Sequence, residues 1–189
     1  VSLRLVLESV RAKDMPLYGG AADMPHFMQA REHMILLDHL YVQDPRSSKA
    51  YTQMELGRFS LLSWDTYANN LPWLFPKDGL AAHLDRLGYS TTALSNTDAN
   101  YDNNELFQKL HGYRHTMYRQ AVNPGSPNAD DLKLLEHAER TMGKARAPFY
   151  MMLWPIQAHH PYGREYWSRE WGKNTSQASD PSVGSATDH

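Results

Sequence analysis

The order of elements along this chain predicts an α/β fold. Short apolar segments of strand length alternate with stretches of helical spacing. At residues 79–95 a helix closes on a Gly directly before a strand, which is an αβ unit. The most apolar segment, residues 148–154 (PFYMMLW), reads as a strand covered on both faces and so central in its sheet. The chain has 189 residues and 21.7 kDa, enough for one domain with a core and too little for two ordinary ones. Its 41% apolar and 21% charged residues fit a globular protein. Nineteen Lys plus Arg against 21 Asp plus Glu leave a net charge of −2, without the basic excess of a general nucleic-acid binder. The absence of Cys excludes disulfides, Cys-ligated zinc, iron–sulfur clusters and a Cys nucleophile. No apolar run approaches the ~20 residues that cross a bilayer.

Residues 1–7 (VSLRLVL) read as a buried strand running straight into Glu8 and Ser9. Residues 10–25 form a loop broken by Met15-Pro16, Gly19-Gly20 and Met24-Pro25. A short helix follows over residues 25–33, with Pro25 in its first turn. Residues 34–42 (MILLDHLYV) are apolar enough for a second strand. After Asp44-Pro45-Arg46 comes a helix over residues 50–56, closed by Gly57, and spacing alone favours Ser47 and Ser48 as its caps. Glu55, late in that helix, reads as a solvated residue. Residues 79–87 place Leu80, Leu84 and Leu87 on one helical face; residues 89–95 are the next strand and 96–104 a polar loop. A further helix over 130–142 carries Leu132, Leu135 and Ala138 on its apolar side. The aromatic stretch 64–75 reads as packing under a loop, with a place in a substrate cleft as the alternative.

Three polar residues share a topological position. Glu8 follows the first strand, Ser47 sits at the junction after the second, and His159 follows the last. Ligands of α/β sheets bind at the carboxyl ends of strands. A carboxylate there suits a hard divalent cation. A hydroxyl at a helix N-terminus suits an anion, and metal contact makes it a nucleophile. An imidazole ligates metal or binds an anionic substrate when protonated, and Lys49 adds a point charge. Together they describe a site for a phosphate or sulfate ester. The competing reading is that any α/β protein offers polar residues at strand ends.

The wording of four segments resembles the N-terminal portion of the sulfatase domain of the alkaline phosphatase superfamily. These are VLESVRAKDMPLYGG, PHFMQAREHMILLDHLYVQDPRSSKAYTQMELG, LAAHLDRLGYSTTALS and APFYMMLWPIQAHHPYG, in the family's order over residues 3–163. The resemblance is nearest the lipoteichoic acid synthase and phosphoglycerol or phosphoethanolamine transferase branch. The acid is Glu8 in an LES context, and Arg46-Ser47-Ser48-Lys49-Ala50 lacks the residues that direct formylglycine formation. The resemblance implies a mixed, mostly parallel sheet flanked by helices, truncated at its C-terminal side. It implies that Glu8 and Ser47 ligate one divalent ion (Mn, Mg, Ca or Zn) and that Ser47 is the nucleophile, with Ser48 one residue off. It further implies that His159, and Lys49 beside the hydroxyl, bind the oxygens of a phosphate or sulfate ester, lipid- or glycan-linked. The implied parent is anchored in a bacterial inner membrane by upstream helices, with its catalytic domain outside the cytoplasm.

Two departures qualify that picture. The chain opens on Val1 inside an apolar stretch, so an upstream part is expected to be absent. The family's later Asp-His-Gly strand has no counterpart: Asp188-His189 end a polar stretch of 18 residues, 172–189, that reads as a disordered tail behind a partial domain of 1–171. The expected alternatives are therefore an inactive truncated module, or an unrelated nucleotide-binding module; the latter is disfavoured because no Gly-rich phosphate loop follows a strand.

Overall fold

The computed structural model describes residues 1–59, 78–126, 129–145 and 148–159. The aromatic stretch 64–75, His160, the tail and Asp188-His189 lie outside them. The chain divides into two units. The first comprises Val1–Glu8 and Leu40–Gln157, the second Ser9–His39 and Ala158–His189.

In the first unit the strands β1 (Ser2–Leu5), β2 (Ser90–Ser95), β3 (His115–Met117) and β4 (Phe149–Trp154) form a sheet in the order β1-β4-β2-β3. Every pairing among them is parallel, with Leu5 opposite Leu153, Ser95 opposite Trp154 and Leu94 opposite Met117. Side chains alternate across a strand, and β4 shows it. Tyr150, Met152 and Trp154 pack with Tyr51, Ala81, Phe107 and Tyr113 on one face. Met151, Leu153 and Phe149 pack with Leu94, Val122, Leu134 and Ala138 on the other. All six β4 residues are buried, as a strand covered on both faces must be.

Among the described residues, the α-helices of this unit are α2 (Ser47–Leu56), α3 (Leu80–Arg86), α4 (Asn104–Leu110), α5 (Arg119–Val122) and α6 (Asp131–Lys144). Gly57 ends α2 with φ 61°, a left-handed value that suits Gly as a helix stop. Gly112 has φ 101°, and a Cβ there would stand 2.3 Å from the Ala82 Cα, so α3 packs directly on its backbone. Asp130 caps α6 by accepting from the Lys133 amide at 3.1 Å. Asp130→Ala is expected to lower stability by about 1 kcal/mol, read as a shift in urea midpoint.

Several sequence expectations are corrected. Among the described residues β1 is an edge strand rather than a buried one: Leu3 and Leu5 remain 47% and 49% exposed, with β4 as the neighbour of β1 there. Residues 34–42 form no strand, and Ile35, Leu40 and Val42 are exposed, since a strand needs a partner's hydrogen bonds as well as apolar residues. In α6 the buried residues are Leu134 and Ala138, with Leu135 on the exposed side. α4, β3 and α5 were not foreseen; β3 has three residues, too few for any periodicity, and exists through its pairing with β2.

The second unit, over its described residues, holds 3₁₀ turns at Ala12–Asp14 and Pro16–Tyr18, then α1 (Pro25–Gln29) continuing as a 3₁₀ turn at Ala30–His33. Pro25 stands in the first turn of α1, where its missing N–H costs nothing.

Candidate active site

Parallel strands bring their carboxyl ends to one edge, and two of the three expected residues meet there. Val6 extends β1 by donating to the Leu153 carbonyl at 2.9 Å, and the chain then turns at Glu8. Ser9 follows with φ 56°, a left-handed value uncommon outside Gly and Asn, which bends the backbone sharply behind the carboxylate. Ser47 opens α2 as its first residue, and the N-cap is Arg46. Neither serine caps the helix with its side chain, which corrects the capping expectation. Instead the Ser47 hydroxyl donates to Glu8 Oε1 at 2.9 Å, across 39 residues of sequence. The Ser48 carbonyl accepts from the Thr52 hydroxyl at 2.8 Å, one turn further along the helix.

The loop before Ser47 is held by Asp44. Its Oδ1 accepts from the Arg46 backbone amide at 3.0 Å and from Arg46 Nε at 3.3 Å. The Arg46 amide, with help from Arg46 and Lys49 side chains, holds the Asp44 carboxyl below the usual range. Lys49 is buried, and its ammonium lies 3.4 Å from Asp44 Oδ2. The structure thus places Lys49 on the acidic anchor of the loop.

Glu8 has a second partner that the sequence reading missed. The Trp154 indole donates to Glu8 Oε2 at 3.0 Å. The signal was its place, the last residue of β4 and therefore at the same sheet edge. Near these residues a cavity of about 10 Å³ between Ser48, Tyr101, Asp102 and Trp154 has room for about one water.

His159 is exposed and belongs to the second unit. The backbone leading to it is pinned by Asp131, another residue not foreseen. Asp131 Oδ2 accepts from the Gln157 amide at 2.8 Å, and Oδ1 from the Ile156 amide at 3.2 Å and from Asn96 Nδ2 at 2.6 Å. Asp131→Ala is expected to speed amide exchange at Ile156 and Gln157 by about tenfold or more, checked by hydrogen-exchange NMR.

Glu55, expected in solvent, is 2% exposed. Its Oε1 accepts from Arg4 Nη1 at 2.8 Å and from the Tyr113 hydroxyl at 3.0 Å. Burial pushes its carboxyl up, and the Arg4 charge opposes that shift. Helix α2 is therefore tied to β1 by Glu55–Arg4 near its end, and to the segment just after β1 by Ser47–Glu8 at its start.

The family model for sulfatases matches residues 3–185. This chain belongs to the sulfatase family. No curated protein sequence matches it significantly. Among solved structures, the sulfatase-family chain is similar to a crystal structure of an alkaline phosphatase superfamily protein from Vibrio parahaemolyticus, with 21% identity and a TM-score of 0.74. The match covers 85% of this chain and 41% of that one, so the chain spans less than half the length of that relative. The likeness bears out an α/β fold of alkaline phosphatase type; the sheet seen here is wholly parallel. Among the described residues, no helix of this sulfatase-family chain is long and apolar enough to cross a membrane.

Proposed function

We propose that the chain carries the nucleophile of a metal-dependent ester hydrolase or phospho-group transferase, with phosphate or sulfate esters as substrates. The observation that carries this reading is the 2.9 Å hydrogen bond from Ser47 to Glu8 at the carboxyl edge of a parallel sheet. It favours Ser47 over Ser48 as nucleophile. Family membership supports the ester chemistry, and the LES and PRSSKA wording supports the transferase branch, with lipid- or glycan-linked substrates and an extracytoplasmic site.

A carboxylate and a hydroxyl that already touch are hard oxygen donors, which fits a divalent ion of the Mg, Mn, Ca or Zn class. Among the described residues no group of three or more His, Cys, Asp or Glu is assembled, so Glu8 and Ser47 would hold it with donors from elsewhere. When bound, the ion would polarise the ester and ease ionisation of the hydroxyl. The chain's own residues do the rest. Glu8 Oε1 receives the Ser47 O–H and so aims the free lone pairs of Oγ away from the carboxylate. Ser47 Oγ, its proton released to solvent water, bonds to phosphorus or sulfur as the ester oxygen leaves with its electron pair and takes up a proton from water, and the group waits on Ser47 for water or an acceptor alcohol. His159 would bind the non-bridging oxygens, and Lys49, through Asp44, holds the loop that presents Ser47.

The test is turnover of a chromogenic phosphodiester and of a chromogenic sulfate ester with each divalent ion, followed by mass spectrometry of the tryptic peptide bearing Ser47. A metal-dependent product burst with the phospho- or sulfo-group on Ser47 is expected. Activity that survives Ser47→Ala would sink the assignment, and a complete lack of turnover would favour an inactive module.

A further inference from the structure

Trp154 is a neighbour of Glu8 that the proposed chemistry leaves unused. Its indole is 3% exposed and stacks on Tyr51, with ring centroids 5.3 Å apart and planes 27° from parallel. Tyr51 lies one turn after Ser47 on α2. The Trp154 backbone is locked in register opposite Ser95. The indole therefore has little freedom, and its N–H points at Glu8 Oε2 from a fixed platform. That N–H is a donor with no acceptor function, so it orients a carboxylate without competing for a cation. The two oxygens of Glu8 are thereby made unequal: Oε2 meets the indole, and Oε1 meets the Ser47 hydroxyl.

We infer that Trp154 is a positioning residue that clamps Glu8 through Oε2 and reserves Oε1, the oxygen shared with Ser47, for a divalent cation. This rests on the proposed reading of Glu8 as a metal ligand. Hydrogen-bond partners of metal ligands commonly tune affinity by about 10–100-fold. Trp154 also ties both arms of the site together, Glu8 by its hydrogen bond and α2 by its stack on Tyr51. Its indole resonance should report on the carboxylate.

The experiment uses the ¹H–¹⁵N indole resonances of the five tryptophans, with Trp154 assigned by its loss in Trp154→Phe. Without metal, Glu8→Gln should move the Trp154 indole signal and leave the other four in place. Mn²⁺ should broaden that signal first. By calorimetry, folded Trp154→Phe should bind Mn²⁺ about 10–100-fold more weakly, because Phe keeps the stack and loses the donor. A purely structural role would lower thermal stability and leave Mn²⁺ affinity unchanged, and that result overturns the proposal. An indole signal indifferent to Glu8→Gln overturns it equally, and this arm decides the matter if Trp154→Phe does not fold. If the wild-type chain binds no Mn²⁺ while Glu8→Gln still shifts the indole, the proposed metal site fails, and with it the reservation of Oε1, although the clamp on Oε2 stands.

Discussion

Ser47→Ala should abolish metal-dependent ester turnover, with a loss on the order of 10³-fold or more, while Ser48→Ala stays within about threefold of the parent chain. The two serines are neighbours in sequence and differ in what they touch. Ser47 donates to Glu8 Oε1 at 2.9 Å; the Ser48 backbone serves the helix. Removing the Ser47 hydroxyl deletes the atom that forms the covalent bond. The loss should fall on kcat rather than KM, since the remaining groups still bind the ester. Initial rates on a chromogenic phosphodiester at saturating Mn²⁺ check this, with circular dichroism to show that both variants are folded. Equal losses in the two variants would move the nucleophile away from Ser47.

The second large effect is on stability. Arg4→Met should destabilise the fold by about 3 kcal/mol at pH 8 and by clearly less at pH 5. Glu55 lies fully inside, with Arg4 and Tyr113 on Oε1, and its Oε2 has no hydrogen-bond partner among the described residues. Removing Arg4 leaves a buried carboxylate without its counter-charge. The lower end of the range for broken buried pairs applies, because the Arg4 side chain itself is 27% exposed. The pH dependence follows from the direction of the Glu55 shift. Burial raises the folded carboxyl above its ordinary 4.5, so above that pH the folded chain holds the proton more tightly than the unfolded chain. Stability from this group therefore falls as pH rises from 4.5 through the raised folded value. Without Arg4 the folded value rises further, and the window widens towards neutral pH. Urea unfolding of Arg4→Met at pH 5 and pH 8 measures both effects. The double variant Arg4→Met/Glu55→Leu should recover most of the loss, since two apolar groups can replace a buried ion pair. A loss independent of pH would mean that Arg4 acts through packing on Tyr150, whose ring lies 5.8 Å from its guanidinium, and not through charge.

How far the site was legible depends on the range of the interactions that make it. Glu8 stands out because it follows an apolar strand, and Ser47 because it opens a helix closed by Gly57, although the strand expected before it at 34–42 does not form; short-range pattern is what a sequence records. The same holds for β4, whose run from Phe149 to Trp154 announced a central strand, and for Gly57 and Gly88, which close helices with φ of 61° and 86°. Family resemblance rested on these same stretches, and the sulfatase match, over residues 3–185, spans them.

Other features depended on partners far away in the chain. Trp154 reaches Glu8 across 146 residues, and Arg4 reaches Glu55 across 51. Nothing local distinguishes an apolar tryptophan in a core strand from one that holds a carboxylate, or a helix glutamate in water from one at 2% exposure. The exposed run at 34–42 shows the converse: strand composition without a strand, because hydrogen-bond partners decide. The sequence by itself determined the α/β class, the central strand and the residue types at the candidate site, since these are set by periodicity and by side-chain chemistry. Only the tertiary structure decided which oxygen of Glu8 meets Ser47, which donor holds the other, and which charges are buried together, because burial and hydrogen-bond geometry come into being when distant segments pack.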